Sequence, residues 1–486
     1  MKIYNSLSRQ KESFEPRIPG QVSLYVCGIT AYDYCHIGHA RSAVVFDVLV
    51  RYLRFTGLQV NFVRNFTDVD DKIINRSREE GIDSQSVAEK YIQAFYEDMD
   101  RLNILRPDFE PRATEHIQDM QRVIASLVDT GYAYATENGD VYFRVRAFTD
   151  YGRLSGRNIE ELQAGARIEP GQEKEDPLDF ALWKRAKAEE PSWPSPWGSG
   201  RPGWHIECSA MSQRFLDLPL DIHGGGQDLI FPHHENERAQ SMAASGRDFV
   251  RYWMHNGFVQ VKSEKMSKSL GNFITLRDIF VHYLPEVLRF FLLSQHYRSP
   301  LDFSWEALQE AEKGIKRIYQ TKKNLDALLA ARPKTKGPDI PQDIKDEIQK
   351  ASRQWQAQLE DDLNTAAALG YAFSLCRIAN RILEDKNLRK APDCPQVLTH
   401  ILSSLQDLGQ VLGLLEEDSP LFLSALRSSR AKRAGVDEAE VETLIQERQR
   451  ARKDKDFARA DALRDKLSGL GVSVQDTPAG PEWDLE

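Results

Sequence analysis

The spacing of apolar residues near the amino terminus predicts a strand, a helix and a second strand. Val22-Ser-Leu-Tyr-Val26 alternates as a strand and runs into Cys27-Gly28. Apolar residues then recur at helical spacing from Val44 to Leu53, and Gly57 follows as a helix stop. Residues 58–62 alternate again as a strand. Strand, helix and strand within about 45 residues form a βαβ unit, from which parallel α/β sheets are built.

Beyond this unit the pattern of apolar and polar residues changes three times. From about Ser84 to Asp129 it is helical and charged. A stretch rich in glycine and proline continues to about Gly203, and its end, from Pro191 onward, excludes a helix or a central strand. From about Trp305 the pattern is helical once more. We therefore expect an insertion over roughly residues 119–197, between two halves of the sheet domain.

Composition narrows the class of protein. A chain of 486 residues predicts roughly three to five structural units. The amino terminus lacks the apolar segment of a secretion signal, and no apolar run is long enough to span a bilayer, so we expect a cytoplasmic protein. Five cysteines at wide spacing favour reduced thiols over a disulfide framework, and at least two become candidate metal ligands. The net charge of −9 does not point to nucleic-acid binding.

Two short motifs have residues suited to binding a nucleoside triphosphate. His36-Ile-Gly-His39 opens the first helix, where unpaired N–H groups favour phosphate and Gly38 permits close approach of a base. In Lys265-Met-Ser-Lys-Ser269, Lys265 and Lys268 are able to neutralise charge on leaving pyrophosphate. Alone, each motif has a structural explanation: the first as a capping and surface pair, the second as a solvated charged loop. Together and in this order they resemble the two signature motifs of class I aminoacyl-tRNA synthetases.

Four residues form a candidate zinc set. His233 and Glu237 lie four apart and project from one helix face, and Pro232 suits the first turn of that helix. The other register pairs His234 with an arginine, which offers no lone pair to a metal. With Cys208, and Cys27 from the end of the first strand, the set has two thiolates, an imidazole and a carboxylate. The alternative is that each cysteine is a small core residue.

Longer segments resemble the cysteinyl-tRNA synthetase family over nearly the whole chain. These segments are residues 27–39, Asn65–Lys72, Trp204–Cys208, His223–Gly226 and His233–Glu237. The resemblance implies one zinc ion per chain, held by the four residues above, with the substrate thiolate bound to the metal. It implies that Gly28, Thr67, Trp204, His223 and Asp228 line the cysteine pocket. The chain departs from the family at Ile29, where proline is usual, and we expect little effect.

The resemblance also implies a fold and a reaction. The fold is α/β, with a split Rossmann-like catalytic domain and parallel sheet, a helical bundle and a small mixed anticodon-binding domain. The expected units are 1–118 with 198–250 (catalytic), 119–197 (insertion), 251–312 (connecting), 313–415 (bundle) and 416–486 (anticodon side). Cysteine and ATP, with Mg2+, give cysteinyl adenylate, and tRNA(Cys) accepts the cysteine. His36 and His39 would stabilise the phosphates. The family expectation is a monomer.

Zinc explains how such an enzyme would reject serine. An apolar pocket separates near-isosteres by only about 10^2, whereas zinc attracts a soft thiolate and not a hard hydroxyl. Residues 427–466 carry twelve basic and nine acidic side chains, a local surplus of +3 that favours tRNA contact. Two alternatives remain: a ligase joining cysteine to an amino sugar–inositol, which shares only the front of the chain, and an inactive zinc- and RNA-binding protein.

Overall fold

The computed structural model describes residues 1–160, 173–261, 264–265, 274–331, 335–477 and 480–485. Within these residues the helices are α1 (Ile37–Phe55), α2 (Asp71–Glu80), α3 (Ser84–Arg101), α4 (Ile117–Asp129), α5 (Trp204–Phe215), α6 (Glu235–Ser245), α7 (Leu276–Phe280), α8 (Pro285–Leu293), α9 (Trp305–Ala330), α10 (Gln342–Glu360), α11 (Thr365–Glu384), α12 (Cys394–Leu412), α13 (Ser419–Ala434), α14 (Glu438–Lys453) and α15 (Phe457–Gly469). The strands are β1 (Lys2–Asn5), β2 (Gln10–Ser13), β3 (Gln21–Val26), β4 (Gln59–Arg64), β5 (Ala133–Ala135), β6 (Val141–Phe143), β7 (Phe180–Arg185), β8 (Gly200–Pro202), β9 (Leu220–Gly226), β10 (Val250–Asn256), β11 (Val259–Val261), β12 (Glu264–Lys265), β13 (Leu301–Phe303), β14 (Val472–Thr477) and β15 (Gly480–Leu485).

The central sheet is parallel and is assembled from two distant parts of the chain. Its order is β10-β9-β3-β4, and every neighbouring pair runs parallel. The predicted βαβ unit is β3, α1 and β4, and it is confirmed. Residues 65–219 separate β4 from β9, so a long excursion divides the sheet into two halves. The predicted α/β class with a split parallel sheet is therefore confirmed.

Helix α1 packs its apolar stripe against this sheet. Val44, Val48 and Leu49 are fully buried there, as their spacing predicted. The helix begins at the carboxyl end of β3, where parallel sheets place their ligands. It ends before Gly57, whose φ of +87° suits glycine. The amino-terminal turn of α1 therefore faces the expected site.

The excursion between the halves contains a second sheet. Strands β5 to β8 form an antiparallel sheet in chain order, and it shares a core with α4 and α5. The proline-rich segment supplies only β8, which lies at the edge, where proline is tolerated. Helix α5 leaves this sheet and carries Cys208 back towards the central sheet.

The carboxyl-terminal half is helical, as predicted from Trp305 onward. Helices α9 to α12 pack together, and Phe422 and Leu426 of α13 belong to the same core. Helices α14 and α15 and the antiparallel hairpin β14–β15 form a separate small core around Val441, Leu467 and Trp483. Within the described ranges, no helix combines the length and the apolar character that crossing a membrane requires.

Candidate metal and nucleotide site

The register of β3 and β9 places two candidate side chains at one edge of the sheet. Tyr25 is paired with His223, and Val26 with Gly224. The amide of Cys27 then donates to the carbonyl of Gly224 at 3.3 Å. Cys27 therefore leaves the carboxyl end of β3 directly beside the end of β9, as the position of the βαβ unit implied.

The four predicted zinc ligands lie together. Cys27 Sγ is 3.5 Å from Cys208 Sγ and 3.3 Å from Glu237 Oε1, and His233 Nε2 is 2.9 Å from Glu237 Oε1. One donor atom from each of the four lies within 4.8 Å of every other. A tetrahedral zinc ion with bonds of about 2.0–2.3 Å keeps its donors about 3.3–3.8 Å apart. The donor set therefore fits zinc in both chemistry and spacing.

The local fold explains how His233 and Glu237 share a point. Phe231 is extended, with φ −140° and ψ 130°, and helical dihedrals follow at His234 and Glu235, where α6 begins. His233 and Glu237 are therefore one turn apart on one face. The His233 ring stacks on Trp204 at 4.3 Å, and its Nδ1 lies 3.0 Å from His205 Nδ1. These contacts orient Nε2 towards Glu237.

A second donor set overlaps the first. Cys27, His223, His234 and Glu237 also offer donor atoms within 4.8 Å of one another. His223 Nδ1 donates to the carbonyl of Tyr25 at 2.9 Å, which directs Nε2 at Glu237 Oε2, 2.9 Å away. In the sequence, His234 is paired by spacing only with Arg238. Its proximity to His223 has no signal in the sequence, because the end of β9 and the start of α6 meet only in the fold.

The charges in this cluster favour a cation. Burial raises the pKa of the Cys27 thiol well above its ordinary value, and the neighbouring Cys208 raises it further. Burial also acts to raise the pKa of Cys208, but hydrogen bonds from Cys27 and His233 bring it down to about 6. Burial opposes ionisation of Glu237, yet His223 and His233 hold its pKa well below the ordinary value. The site thus contains a buried thiolate and a buried carboxylate with soft and hard donor atoms.

A cavity of about 350 Å³ opens beside Cys27, one of the four candidate ligands. Among its lining residues are Cys27, Gly28, His36, Gly38, His39, Trp204 and Asp228. A Cβ at Gly28 would lie 1.5 Å from the carbonyl oxygen of Asn65, so this position requires glycine. The cavity brings three of the five expected cysteine-pocket residues together with the His36–His39 motif.

The other two expected pocket residues are buried behind this cavity. The hydroxyl of Thr67 donates to Glu207 Oε2 at 2.6 Å, and His223 is fully buried against Glu237. The side chain of Asn65, which the sequence did not single out as a site residue, accepts from the amide of Gly28 at 3.0 Å. Its Oδ1 also lies 3.5 Å from Cys208 Sγ. No spacing in the sequence indicated this link between pocket and thiol.

The His36–His39 pair does cap helix α1, and its geometry also fixes which ring nitrogens face outward. His36 Nδ1 accepts from the amides of Gly38 and His39 at 3.0 and 3.4 Å, and the two rings stack at 3.8 Å. His39 Nδ1 accepts from the amide of His36 at 3.4 Å. A neutral imidazole that accepts at Nδ1 carries its proton on Nε2. Burial, followed by the charges of His36 and Lys72, holds the pKa of His39 well below the ordinary value. Both Nε2–H groups are therefore donors suited to an anion.

The described chain that follows the lysine motif contacts the same helix start. Lys265 ends β12, whose backbone pairs with Gln260 of β11, whereas Lys268 lies outside the described residues. Where the description resumes, the carbonyl of Ile274 accepts from the amide of Ile37 at 3.4 Å, and the amide of Leu276 donates to Cys35. Thr275 forms a bridge with His36. The segment that follows the motif is thus anchored at the start of α1.

Comparison with known proteins places most of the chain in described families. Residues 13–313 match the family of tRNA synthetases class I (C) catalytic domains, residues 354–416 match the DALR domain, and residues 438–483 match the cysteinyl-tRNA ligase anticodon binding domain. The cysteine–tRNA ligase of Nitratidesulfovibrio vulgaris is 61% identical over 485 residues, with 100% of both chains covered. Those of Solidesulfovibrio magneticus and Lawsonia intracellularis are 59% and 51% identical, again over 100% of both chains.

Solved structures share the fold at low sequence identity. The methionyl-tRNA synthetase of Mycobacterium tuberculosis, in complex with methionyl-adenylate, superposes with a TM-score of 0.63 at 15% identity, covering 83% of this chain and 93% of that chain. The LeuRS of Agrobacterium radiobacter, in its ternary complex with tRNA, gives 0.60 at 13% identity and covers 85% and 86%. These likenesses support the α/β class with its helical carboxyl-terminal part.

Proposed function

Because the chain belongs to the cysteine–tRNA ligases, a family of class I aminoacyl-tRNA synthetases, we propose that it joins L-cysteine to tRNA(Cys) at the expense of ATP. A carboxylate oxygen of cysteine attacks the α-phosphorus, and the bond to pyrophosphate breaks. A terminal ribose hydroxyl of the tRNA then attacks the acyl carbon, and AMP leaves. Similarity over the full length supports this function and not the amino sugar–inositol alternative.

The proposed amino-acid selector is a Zn2+ ion held by Cys27, Cys208, His233 and Glu237. When bound, the ion supplies a soft Lewis acid that prefers a thiolate to a hydroxyl. The protein's part is to hold the four donors within 4.8 Å of one another and to orient His233 between Trp204 and His205. Trp204 and Asp228 line the adjoining cavity, where they would contact the rest of the amino acid.

The proposed catalytic groups act on the phosphates. The Nε2–H groups of His36 and His39 would donate to phosphate oxygens at the start of α1, and Gly38 leaves room for the nucleotide. Lys265 and Lys268 would neutralise the pyrophosphate as it leaves, with Mg2+ bound to ATP. No general base is needed, because positioning and electrostatic stabilisation account for the chemistry.

One observation carries the proposal. Cys27, one of the four candidate ligands, and the His36–His39 pair line a single cavity. A selector for sulfur and a binding site for phosphate are useful to one enzyme only when they face the same space. The proposed tRNA-binding unit consists of α14, α15 and β14–β15, and the match of residues 438–483 to an anticodon binding domain supports it. The proposed location is the cytoplasm and the proposed state a monomer.

The test separates the two half-reactions. Cysteine-dependent exchange of pyrophosphate into ATP tests activation, and charging of tRNA(Cys) tests transfer. We would truncate after Gly435, since α13 belongs to the main core and the separate small core is built mainly from residues after it. The truncated protein should retain exchange and lose charging. Absence of exchange in the full-length protein would contradict the proposed activity. Charging that survives truncation would contradict the tRNA role of the terminal unit.

A further inference from the structure

One residue that lines the proposed nucleotide cavity has an unpaired amide oxygen. Asn256 is the last residue of β10, and it is paired in register with Gly226 at the end of β9. The residue lines the cavity and is only 4% exposed. Its Oδ1 is buried, and no donor among the described residues forms a hydrogen bond with it. A buried acceptor without a partner is costly to a fold, so a ligand that supplies a donor here gains affinity.

The orientation of this amide is fixed by the backbone. Its Nδ2 donates to the carbonyl of Gly257 at 3.2 Å. The flipped amide would place two oxygen atoms against each other, so Oδ1 is the atom left for a ligand. The backbone is itself held, because the amide of Gly257 donates to the carbonyl of Tyr297 at 2.8 Å and Arg41 of α1 donates to that carbonyl at 3.2 Å. The helix that carries His39 therefore also fixes the position of this acceptor.

The place of Asn256 in the sheet suits the base of a bound nucleotide. Strand β10 lies two strands from β3, which is about 10 Å at the usual strand spacing and comparable with the length of a nucleoside. The proposed phosphate site, His36–His39, follows β3. Beyond Asn256 the cavity lining continues with Gly257, Phe258 and Val259, one residue without a side chain and two apolar ones. A flat, largely apolar base fits against such residues.

The chemistry of the acceptor favours an uncharged donor. An amide oxygen carries no net charge, whereas the ammonium group of cysteine requires a carboxylate to offset its own charge. Asp228 supplies a carboxylate in the same cavity: a Cβ at Gly226 would lie 2.4 Å from Asp228 Oδ1, so this carboxylate lies over the end of β9. The neutral donors of ATP are the 6-amino group of adenine and the ribose hydroxyls, and only the amino group belongs to the base.

We propose that Asn256 Oδ1 accepts a hydrogen bond from the 6-amino group of adenine and thereby helps to select ATP among purine nucleoside triphosphates. This inference rests on the proposed function, since that function places ATP in the cavity. Guanine and hypoxanthine carry an oxygen where adenine carries the amino group, and that oxygen would face Oδ1 with no proton between them. Asn256 is then a substrate-binding residue that takes no part in the bond changes.

Nucleotide binding tests this contact without catalysis. Asn256→Leu keeps the size of the side chain and removes the acceptor, and purine riboside triphosphate lacks only the 6-amino group of ATP. In the unaltered protein, the Kd of this analogue by calorimetry should be about tenfold higher than that of ATP. Asn256→Leu should weaken ATP about tenfold and the analogue hardly at all, and its preference for ATP over inosine triphosphate should fall about tenfold or more. Asn256→Ala, which adds no bulk, should give the same ratios.

Asn5→Leu is the matched control for losing a buried asparagine beside β10. Asn5 is also 4% exposed and forms hydrogen bonds with the backbone of Arg251 and Trp253, but it is not among the residues that line the cavity. This variant should keep the tenfold difference between ATP and the analogue.

Three results would overturn the inference. The first is equal binding of ATP and the analogue by the unaltered protein, and the second is an equal loss of both nucleotides in the Asn256 variants. The third is an Asn256→Leu effect that is seen with ATP and disappears with 2′-deoxy-ATP or 3′-deoxy-ATP, because the partner would then be a ribose hydroxyl. Selective ATP binding without any cysteine-dependent exchange would instead contradict the proposed activity and leave the contact of Asn256 supported.

Discussion

Cys27 Sγ and Cys208 Sγ lie 3.5 Å apart although 181 residues separate them along the chain. The first sulfur comes from the end of β3, before the excursion, and the second from α5, near the end of the excursion. The shared position therefore depends on the return of α5 to the central sheet. A metal ion at this point would tie α5 to the end of β3 as well as select the substrate.

Replacing one of these sulfurs should separate metal binding from folding. Cys208→Ser removes a soft ligand, so zinc content should fall well below one per chain, and the preference for cysteine over serine in exchange should fall at least tenfold. Cys376→Ser, at a buried thiol outside the cluster, is the control for losing a core cysteine. Metal content measured on both purified variants gives the answer. Unchanged zinc in Cys208→Ser would remove Cys208 from the ligands.

The two overlapping donor sets predict opposite effects on zinc binding when His233 or His234 is replaced. His233 is expected to bind zinc through Nε2, whereas His234 Nδ1 lies 2.8 Å from His255 Nε2. The side-chain amide of asparagine can occupy the position of a histidine Nδ1, but it is too short to occupy that of Nε2. His233→Asn should therefore lose zinc, and His234→Asn should keep both its contact with His255 and the metal. The reverse result, by metal analysis of the folded variants, would favour the set containing His223 and His234.

A buried arginine joins the sheet domain to the helical bundle. Arg289 of α8 donates to the carbonyls of Leu102 and Leu412, at the ends of α3 and α12, at 2.8 and 2.7 Å, and to the carboxylate of Asp47 on α1. Arg289→Met should lower the free energy of unfolding by about 3 kcal/mol, because it removes one charged partner of the buried Asp47, which keeps Arg51, and the donors to two helix ends. Lys11→Met, which breaks an exposed ion pair with Asp361, should cost less than about 1 kcal/mol. Urea unfolding of both variants tests this, and equal losses would contradict it.

The terminal unit should respond to acid through one carboxylate. Arg448 donates to both oxygens of Asp476 at 2.9 and 3.0 Å, and this pairing, with Arg452, lowers the pKa of Asp476 from the ordinary 3.8 to about 2. A depressed carboxyl pKa stabilises the folded unit above about pH 4 and loses that contribution as the pH falls towards 2. Hydrogen exchange of residues 472–477, corrected for intrinsic rates, should therefore speed up between pH 5 and pH 3. Asp476→Asn should exchange faster at pH 5 and show little of this pH dependence; an identical pH response in both proteins would contradict the prediction.

Secondary-structure elements were predictable from the sequence where a local pattern of apolar residues determines them. The candidate site was predictable only in part. Alternation in Val22–Val26 and the spacing from Val44 to Leu53 fixed β3 and α1, because each follows from burial of one face. The i, i+4 spacing of His233 and Glu237 likewise predicted that they would share a point. The contacts of Tyr25 and Asn65 were not predictable, because the register of β3 with β9 and the return of α5 create them. The same holds for the pairing of His223 with His234, and Lys268 stays a prediction outside the described residues.

The most direct test counts sulfur atoms around the metal. X-ray absorption at the zinc edge, on the purified metal-loaded protein, should give two sulfur neighbours at about 2.3 Å and two lighter ones. Addition of L-cysteine should raise the sulfur count to three, whereas L-serine should leave it at two. A count that does not change with cysteine would contradict the account, because the metal would then not be what recognises the substrate.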